Sequence, residues 1–271
     1  MLNSITIGQF FPGNSLLHRM DPRVKLTLTF AYIVAVFLPR NWAGLSVAVG
    51  FLVLTVTLSR LPLKLFFKSI KPILPLILFT SALNIFYIST GKTLFNWAFI
   101  HITTQGLVTA AFIATRIICL IAGSSLLTYT TSPTTLTDAL ERLLSPLKVF
   151  RFNVHELAMM MTIALRFIPT LIEETDKIIS AQKARGADME SGGLMQRVRA
   201  LIPVLIPLFV SSFRRAYELA TAMECRCYRG GEGRTRMKQM HLRISDAVCI
   251  AAVLLMVAVL VWLNLVLPPV I

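Results

Sequence analysis

Arg185 and Arg226 stand 41 residues apart, each at the tail of a long helical pattern. The first lies in Ala181-Gln182-Lys183-Ala184-Arg185-Gly186 and the second in Ala222-Met223-Glu224-Cys225-Arg226-Cys227. A guanidinium holds five N–H donors in a rigid fork that suits carboxylates and carbonyls of another protein. The chemistry open to such a pair is recognition rather than bond-making. Ala-Arg-Gly is also an ordinary helix ending, a cation near the negative pole followed by glycine. The duplication, with the same relation to the preceding apolar stripe each time, favours presentation to a partner.

Other reactive-looking patterns fall short. Thr90-Gly91-Lys92-Thr93 ends like a phosphate-binding loop, but Phe86 stands where its first glycine belongs. His155-Glu156 does not open a zinc-protease helix, because Met159 occupies the second histidine position. No G-x-S-x-G is present, and the four histidines are scattered. The cysteines, Cys119, Cys225, Cys227 and Cys249, match neither a disulfide framework nor a zinc pattern and read as small apolar fillers. Met159, Met160 and Met161 read as adaptable packing. Catalytic residues and metal ligands are therefore not expected in this chain.

These residues are embedded in a membrane protein. The chain has 271 residues, 55% of them hydrophobic and only 15% charged, with a mean hydropathy of +0.71. A soluble domain carries about a quarter charged residues. The net charge of +14 invites a nucleic-acid partner, but the cations follow the sides of a membrane rather than one soluble face, so none is expected. The first 20 residues lack the pattern of a cleavable signal.

About five stretches suit a bilayer, roughly 24–38, 42–58, 72–88, 106–129 and 247–266. Two further runs, 157–171 and 201–213, are short; the first carries Arg166 and the second Pro203 and Pro207. The expected fold class is all-α and polytopic. Arg23 and Lys25 at the first span are expected to reach for headgroups. Arg116, inside the fourth span, is expected to be structural.

Lysine and arginine alternate between segments, with 24 on one side against 2 on the other. This places the N-terminus and the 131–245 block in the cytoplasm and the C-terminus outside. Trp42, Trp97 and Trp262 then fall at the outer interface. The organisation expected is 1–130 with four spans, 131–245 as a cytoplasmic helical region, and 246–271 as the last span.

Ser132-Pro133 starts a helix that Ser145-Pro146 stops. Two long amphipathic helices should follow, roughly 154–185 and 194–228, with Pro169 kinking the first. Arg185 lies seven residues after Ile178, and Arg226 seven after Leu219, so each extends its helix's apolar stripe. Gly230-Gly231-Glu232-Gly233 gives a flexible exit.

Three motifs together resemble a known family: Leu17-His18-Arg19-Met20-Asp21-Pro22-Arg23-Val24-Lys25, Ala184-Arg185-Gly186, and Arg226 followed by Tyr228-Arg229-Gly230-Gly231. The chain is similar over its whole length to the transmembrane T component (EcfT) of energy-coupling factor (ECF) transporters, in the CbiQ/BioN/EcfT-like family. The resemblance implies a non-catalytic subunit of an ATP-driven importer of vitamins or metal ions. Two cytoplasmic ABC-type ATPases, holding ATP and Mg, would dock on a pair of coupling helices through Ala184, Arg185, Gly186, Cys225, Arg226 and Cys227. A small membrane S component would bind the substrate and face Leu157, Met160, Met161 and Ala164 on one helix and Leu205, Leu208 and Phe209 on the other. Asp21, Pro22, Arg23 and Lys25 form the family's N-terminal motif. The chain departs where Cys225 and Cys227 stand for the usual alanine and glycine, and loss of that glycine is expected to let the helix run on to Gly230. The alternative is an ordinary permease subunit that itself forms the substrate pathway.

Overall fold

The computed structural model describes residues 10–88, 93–97, 100–150, 153–187, 193–231 and 240–268. Ten α-helices occur among them: α1 (Leu16–Arg19), α2 (Pro22–Phe37), α3 (Trp42–Ser59), α4 (Leu63–Ile70), α5 (Leu74–Tyr87), α6 (Thr104–Thr130), α7 (Pro133–Leu143), α8 (Val154–Ala184), α9 (Leu194–Cys225) and α10 (Ile244–Val266). Short 3-10 turns follow α4 and α7. The fold is helical, with one departure from an all-α reading. Thr93–Trp97 (β1) and Ile100–Thr103 (β2) pair as an antiparallel hairpin between α5 and α6.

Among the described residues, six helical stretches are long and apolar enough to cross a membrane: Trp42–Ser59, Leu63–Tyr87, Thr104–Thr130, Val154–Ala184, Val198–Cys225 and Ile244–Val266. Two points differ from the sequence expectation. The first expected span is α2, whose 16 residues rise only about 24 Å at 1.5 Å each, short of a hydrocarbon core of about 30 Å. The two short apolar runs lie inside α8 and α9, of 31 and 32 residues. Neighbouring helical turns supply the length that the apolar runs lack.

The chain divides into two compact units, one containing Leu140–Lys238 and the other Gly8–Ala139 with Gln239–Ile271. In the second unit α6 is central, packed by α2, α3, α4, α5 and β2, with α10 against α2 and α3. Tyr32, Val36, Leu52, Cys119, Leu126 and Leu260 belong to its core. Gly123 lets α6 meet α2 closely, since a Cβ there would sit 2.4 Å from the Tyr32 ring. Close backbone approach through small residues is how helices gain dispersion contacts where the solvent is itself apolar. Arg116 is structural: its Nη2 donates to the Pro39 carbonyl at 2.6 Å, and its guanidinium lies 4.8 Å from the Phe112 ring centre. Asn264 Nδ2 donates to Leu38 O at 2.7 Å, binding the end of α10 to the same loop.

In the first unit α8 packs on α9. Gln182 Nε2 donates to Pro203 O at 3.4 Å, and Glu174 accepts from Ser211 Oγ and from Arg215 Nη2, the latter at 2.7 Å. As the number falls along α8 it rises along α9, so the pair runs antiparallel. The loop between them is partly outside the described residues, as are Thr90-Gly91-Lys92 and Glu232-Gly233.

Candidate functional site

The two arginine motifs end their helices in the same way. Arg185 caps α8 with φ −86° and ψ 5°, and Arg226 caps α9 with φ −92° and ψ 14°. Gly186 follows at φ +86° and Cys227 at φ +54°, both left-handed. At the first end Gly186 N donates to Lys183 O at 3.0 Å and Ala187 N to Gln182 O at 3.0 Å. At the second, Cys227 N donates to Glu224 O at 2.8 Å and Tyr228 N to Met223 O at 3.0 Å. Each is the pair of reversed bonds of a Schellman ending, which satisfies carbonyls that a helix otherwise leaves open.

This corrects the expectation that α9 runs on to Gly230. Cys227 adopts the left-handed conformation that the glycine would have taken, at a cost of roughly 1–2 kcal/mol for a side-chain-bearing residue. The two hydrogen bonds, and the carbonyls they satisfy, offset it. Cys225 and Cys227 are both exposed rather than apolar fillers, whereas Cys119 is buried and Cys249 half-buried.

Ala184, Arg185, Gly186, Cys225, Arg226 and Cys227 are all exposed. Neither arginine side chain forms a hydrogen bond or ion pair with a described residue, in contrast to Arg23, Arg116 and Arg215. From Pro203, beside Gln182, to Arg226 is 23 residues of helix, a rise of about 35 Å. The antiparallel pair thus holds its two arginines at opposite ends.

The stripe residues of α8 and α9 are largely uncovered. Met160, Met161, Ala164, Leu205 and Phe209 are exposed, and Leu157 and Leu208 are half-buried. Phe209 is 61% exposed, and Phe213 and Tyr217 further along α9 are 72% and 76% exposed. An uncovered apolar face of this extent marks contact with protein or lipid.

The N-terminal motif has a different setting. Asp21 N-caps α2, accepting from Arg23 N at 2.9 Å, and Pro22 takes the first helical position, where its missing N–H costs nothing. Arg23 grips Asp21 through two bonds, Nη2 to Oδ2 at 2.7 Å and Nε to Oδ1 at 3.1 Å. Hydrogen bonding to that carboxylate raises the Arg23 pKa, against the opposing effect of burial. The Asp21 backbone N–H donates to Asp246 Oδ1 at 3.2 Å, and Asp246 Oδ2 accepts from Arg243 N at 2.9 Å at the start of α10. Lys25 Nζ donates to Thr130 O and Thr131 Oγ1, both at 3.1 Å, at the end of α6. Asp21, Lys25 and Asp246 are all buried.

Arg23 and Lys25 therefore do not reach for headgroups. Lys25 ties α2 to the end of α6, and Asp21, gripped by Arg23, ties α2 to α10 through its N–H, because a buried charge is tolerable only when paired and hydrogen-bonded. Sequence reasoning missed Asp246 in this cluster. Its signal was available: it is the one acid in the first turn of the last span, where the helix dipole favours negative charge. Among the described residues no three His, Cys, Asp or Glu side chains are grouped as metal ligands.

Six apolar helical stretches among the described residues define a multi-pass membrane protein. A family model described as a cobalt transport protein, CbiQ, matches residues 13–238. A relative from Ruminiclostridium cellulolyticum, named energy-coupling factor transporter transmembrane protein EcfT, is 54% identical over 246 residues, covering 91% of this chain and 92% of its own length. Relatives of the same name from Clostridium kluyveri and Acidaminococcus fermentans are 50% and 49% identical, covering 96% and 97% of this chain and 96% and 98% of their own lengths. The chain belongs to this family, the EcfT transmembrane components of energy-coupling factor transporters.

Proposed function

We propose that this chain is the energy-coupling scaffold of an ATP-driven importer of a vitamin or similar micronutrient in a prokaryotic cell membrane. Two cytoplasmic ABC-type ATPases dock on α8 and α9, one at each arginine end. A small membrane S component that binds the substrate packs on the apolar stripes. In this reading the N-terminus and the 131–245 block are cytoplasmic and the C-terminus is outside. ATP hydrolysis belongs to the partners, and this chain carries no catalytic group or cofactor.

One observation carries the proposal. Two long helices end in the same Schellman turn, and each turn leaves at its cap an exposed arginine that engages no described residue. A separation of about 35 Å along the pair suits two partners better than one. The turn fixes the backbone on which the guanidinium stands, so docking has to order the side chain but not the helix end. A guanidinium buried in a partner's groove is the kind of side chain that dominates an interface.

Motion then follows mechanically. Displacement of an ATPase pulls a helix end, and the Glu174 clamp to Ser211 and Arg215 obliges α8 and α9 to respond together. Purification of the full complex from cells carrying Arg185→Ala with Arg226→Ala tests the docking. Loss of ATPase association and of vitamin uptake, with normal membrane insertion, is expected; wild-type levels of both would overturn it.

A further inference from the structure

A second charged feature is not used by the coupling helices. Arg60, Lys64, Lys68 and Lys71 follow one another at intervals of four, four and three residues. All four are exposed, and none pairs with an acid among the described residues. Their stretch has no acid to meet locally, since the sequence contains none between Asp21 and Asp138.

The stretch that carries the three lysines, α4 and the 3-10 turn Lys71–Ile73 after it, is divided lengthwise. At about 100° per residue, Phe66 and Ile70 share one flank. Phe66 is buried, edge-on to the Tyr129 ring at 5.9 Å, and Ser69 hydrogen-bonds the Tyr129 hydroxyl. The next flank carries Leu63 and Phe67, 62% and 71% exposed. The flank beyond that carries Lys64, Lys68 and Lys71. A protein-facing row, an uncovered apolar row and a cationic row therefore lie side by side.

Connectivity says where this helix lies. It follows α3, a candidate span ending at Ser59, and opens the candidate span Leu63–Tyr87, whose 25 residues continue through Pro72 into α5. A bilayer needs only about 20 residues, so the first turns of this stretch, held to the end of α6 through Phe66 and Ser69, fall at the bilayer boundary. There an apolar row enters the acyl region while neighbouring cations meet headgroups, as in helices that lie in the interface plane. We propose that α4 and the 3-10 turn after it form an interfacial anchor whose Lys64, Lys68 and Lys71, with Arg60, bind the headgroups of anionic phospholipids while Leu63 and Phe67 insert among the acyl chains. The lipid surface is favoured over an acidic protein because the exposed apolar row borders the cations along the whole helix. This anchor is independent of the arginine docking at α8 and α9.

The test uses the full chain with Phe67→Trp, reconstituted in phosphatidylcholine vesicles. These contain equal mole fractions of either brominated phosphatidylglycerol or brominated phosphatidylcholine. A cation near an anionic surface strengthens attraction about fivefold. The introduced indole should be quenched severalfold more by the anionic quencher, after subtraction of the parent's emission. Lys64→Gln with Lys68→Gln and Lys71→Gln should abolish that preference while leaving quenching by phosphatidylcholine intact, and the corresponding arginine replacements should retain it. Equal quenching by both lipids in the lysine-bearing protein would overturn the proposal, as would a preference that survives the glutamine replacements. An indole untouched by either lipid but shielded on addition of the ATPase partners would assign the ladder to protein docking and also overturn it.

Discussion

The Asp21–Lys25 motif and the two arginine endings are the charged signatures of this chain, and the fold treats them in opposite ways. Asp21, Arg23 and Lys25 are gathered inward, and each has partners on its own or neighbouring elements. Arg185 and Arg226 are held outward on rigid turns with their donors unengaged by described residues. A motif of charged residues therefore need not be a contact surface. The first holds helix ends in register; the second is available to something else.

Removing Asp246 should break the inward cluster most. Asp246→Ala strands the Asp21 and Arg243 backbone N–H groups and unbalances the buried Lys25. Uncompensated buried charge costs about 3–5 kcal/mol. Thermal unfolding in detergent should fall by many degrees, or the protein should fail to accumulate. Arg185→Ala and Arg226→Ala, by contrast, should change intrinsic stability by less than about 0.5 kcal/mol, although they abolish association. Equal thermal effects from the two sets would erase the contrast.

Lys25→Met should cost less than Asp246→Ala. The stem still packs, but Thr130 O and Thr131 Oγ1 lose their donor, a penalty of about 1–3 kcal/mol for a buried acceptor. The same unfolding measurement checks it, and an unchanged midpoint would remove Lys25 from the clamp.

The smallest effects distinguish the two endings from each other. Gly186 has open space around its missing Cβ, so Gly186→Ala meets only the left-handed backbone cost, roughly 1 kcal/mol. Cys227→Gly should return about the same amount. Amide hydrogen exchange at Ala187 and Tyr228, the outer donors of the two turns, should speed up in the first variant and slow in the second. A Cys227→Gly that loosens Tyr228 would mean the turn is held by the thiol rather than by the backbone bonds.

Much of this architecture was legible in the residues. Apolar length gave most of the spans, and three-four spacing gave α8 and α9 to within a few residues at each end. The arginine endings were legible because capping is local chemistry. Cys227 was misjudged because propensity treats φ > 0 as glycine's territory, whereas two hydrogen bonds can hold a cysteine there. The anchoring role of Arg23 and Lys25 was misjudged for another reason. The groups that draw this motif inward, Asp246 for the Asp21 N–H, Met240 O for Arg23 and Thr130–Thr131 for Lys25, lie more than 100 residues away along the chain.

By itself, the sequence determined that the chain is a helical membrane protein and, to within a few residues, where its two longest helices lie. It also determined that the two arginines stand in one relation to the apolar stripes before them. Those properties depend on hydropathy, periodicity and capping, which act over a few turns. Only the tertiary structure decided which charges are consumed within the fold and which are left unengaged by the described residues. Burial and pairing depend on distant segments meeting, and no local spacing encodes which acid will reach which base.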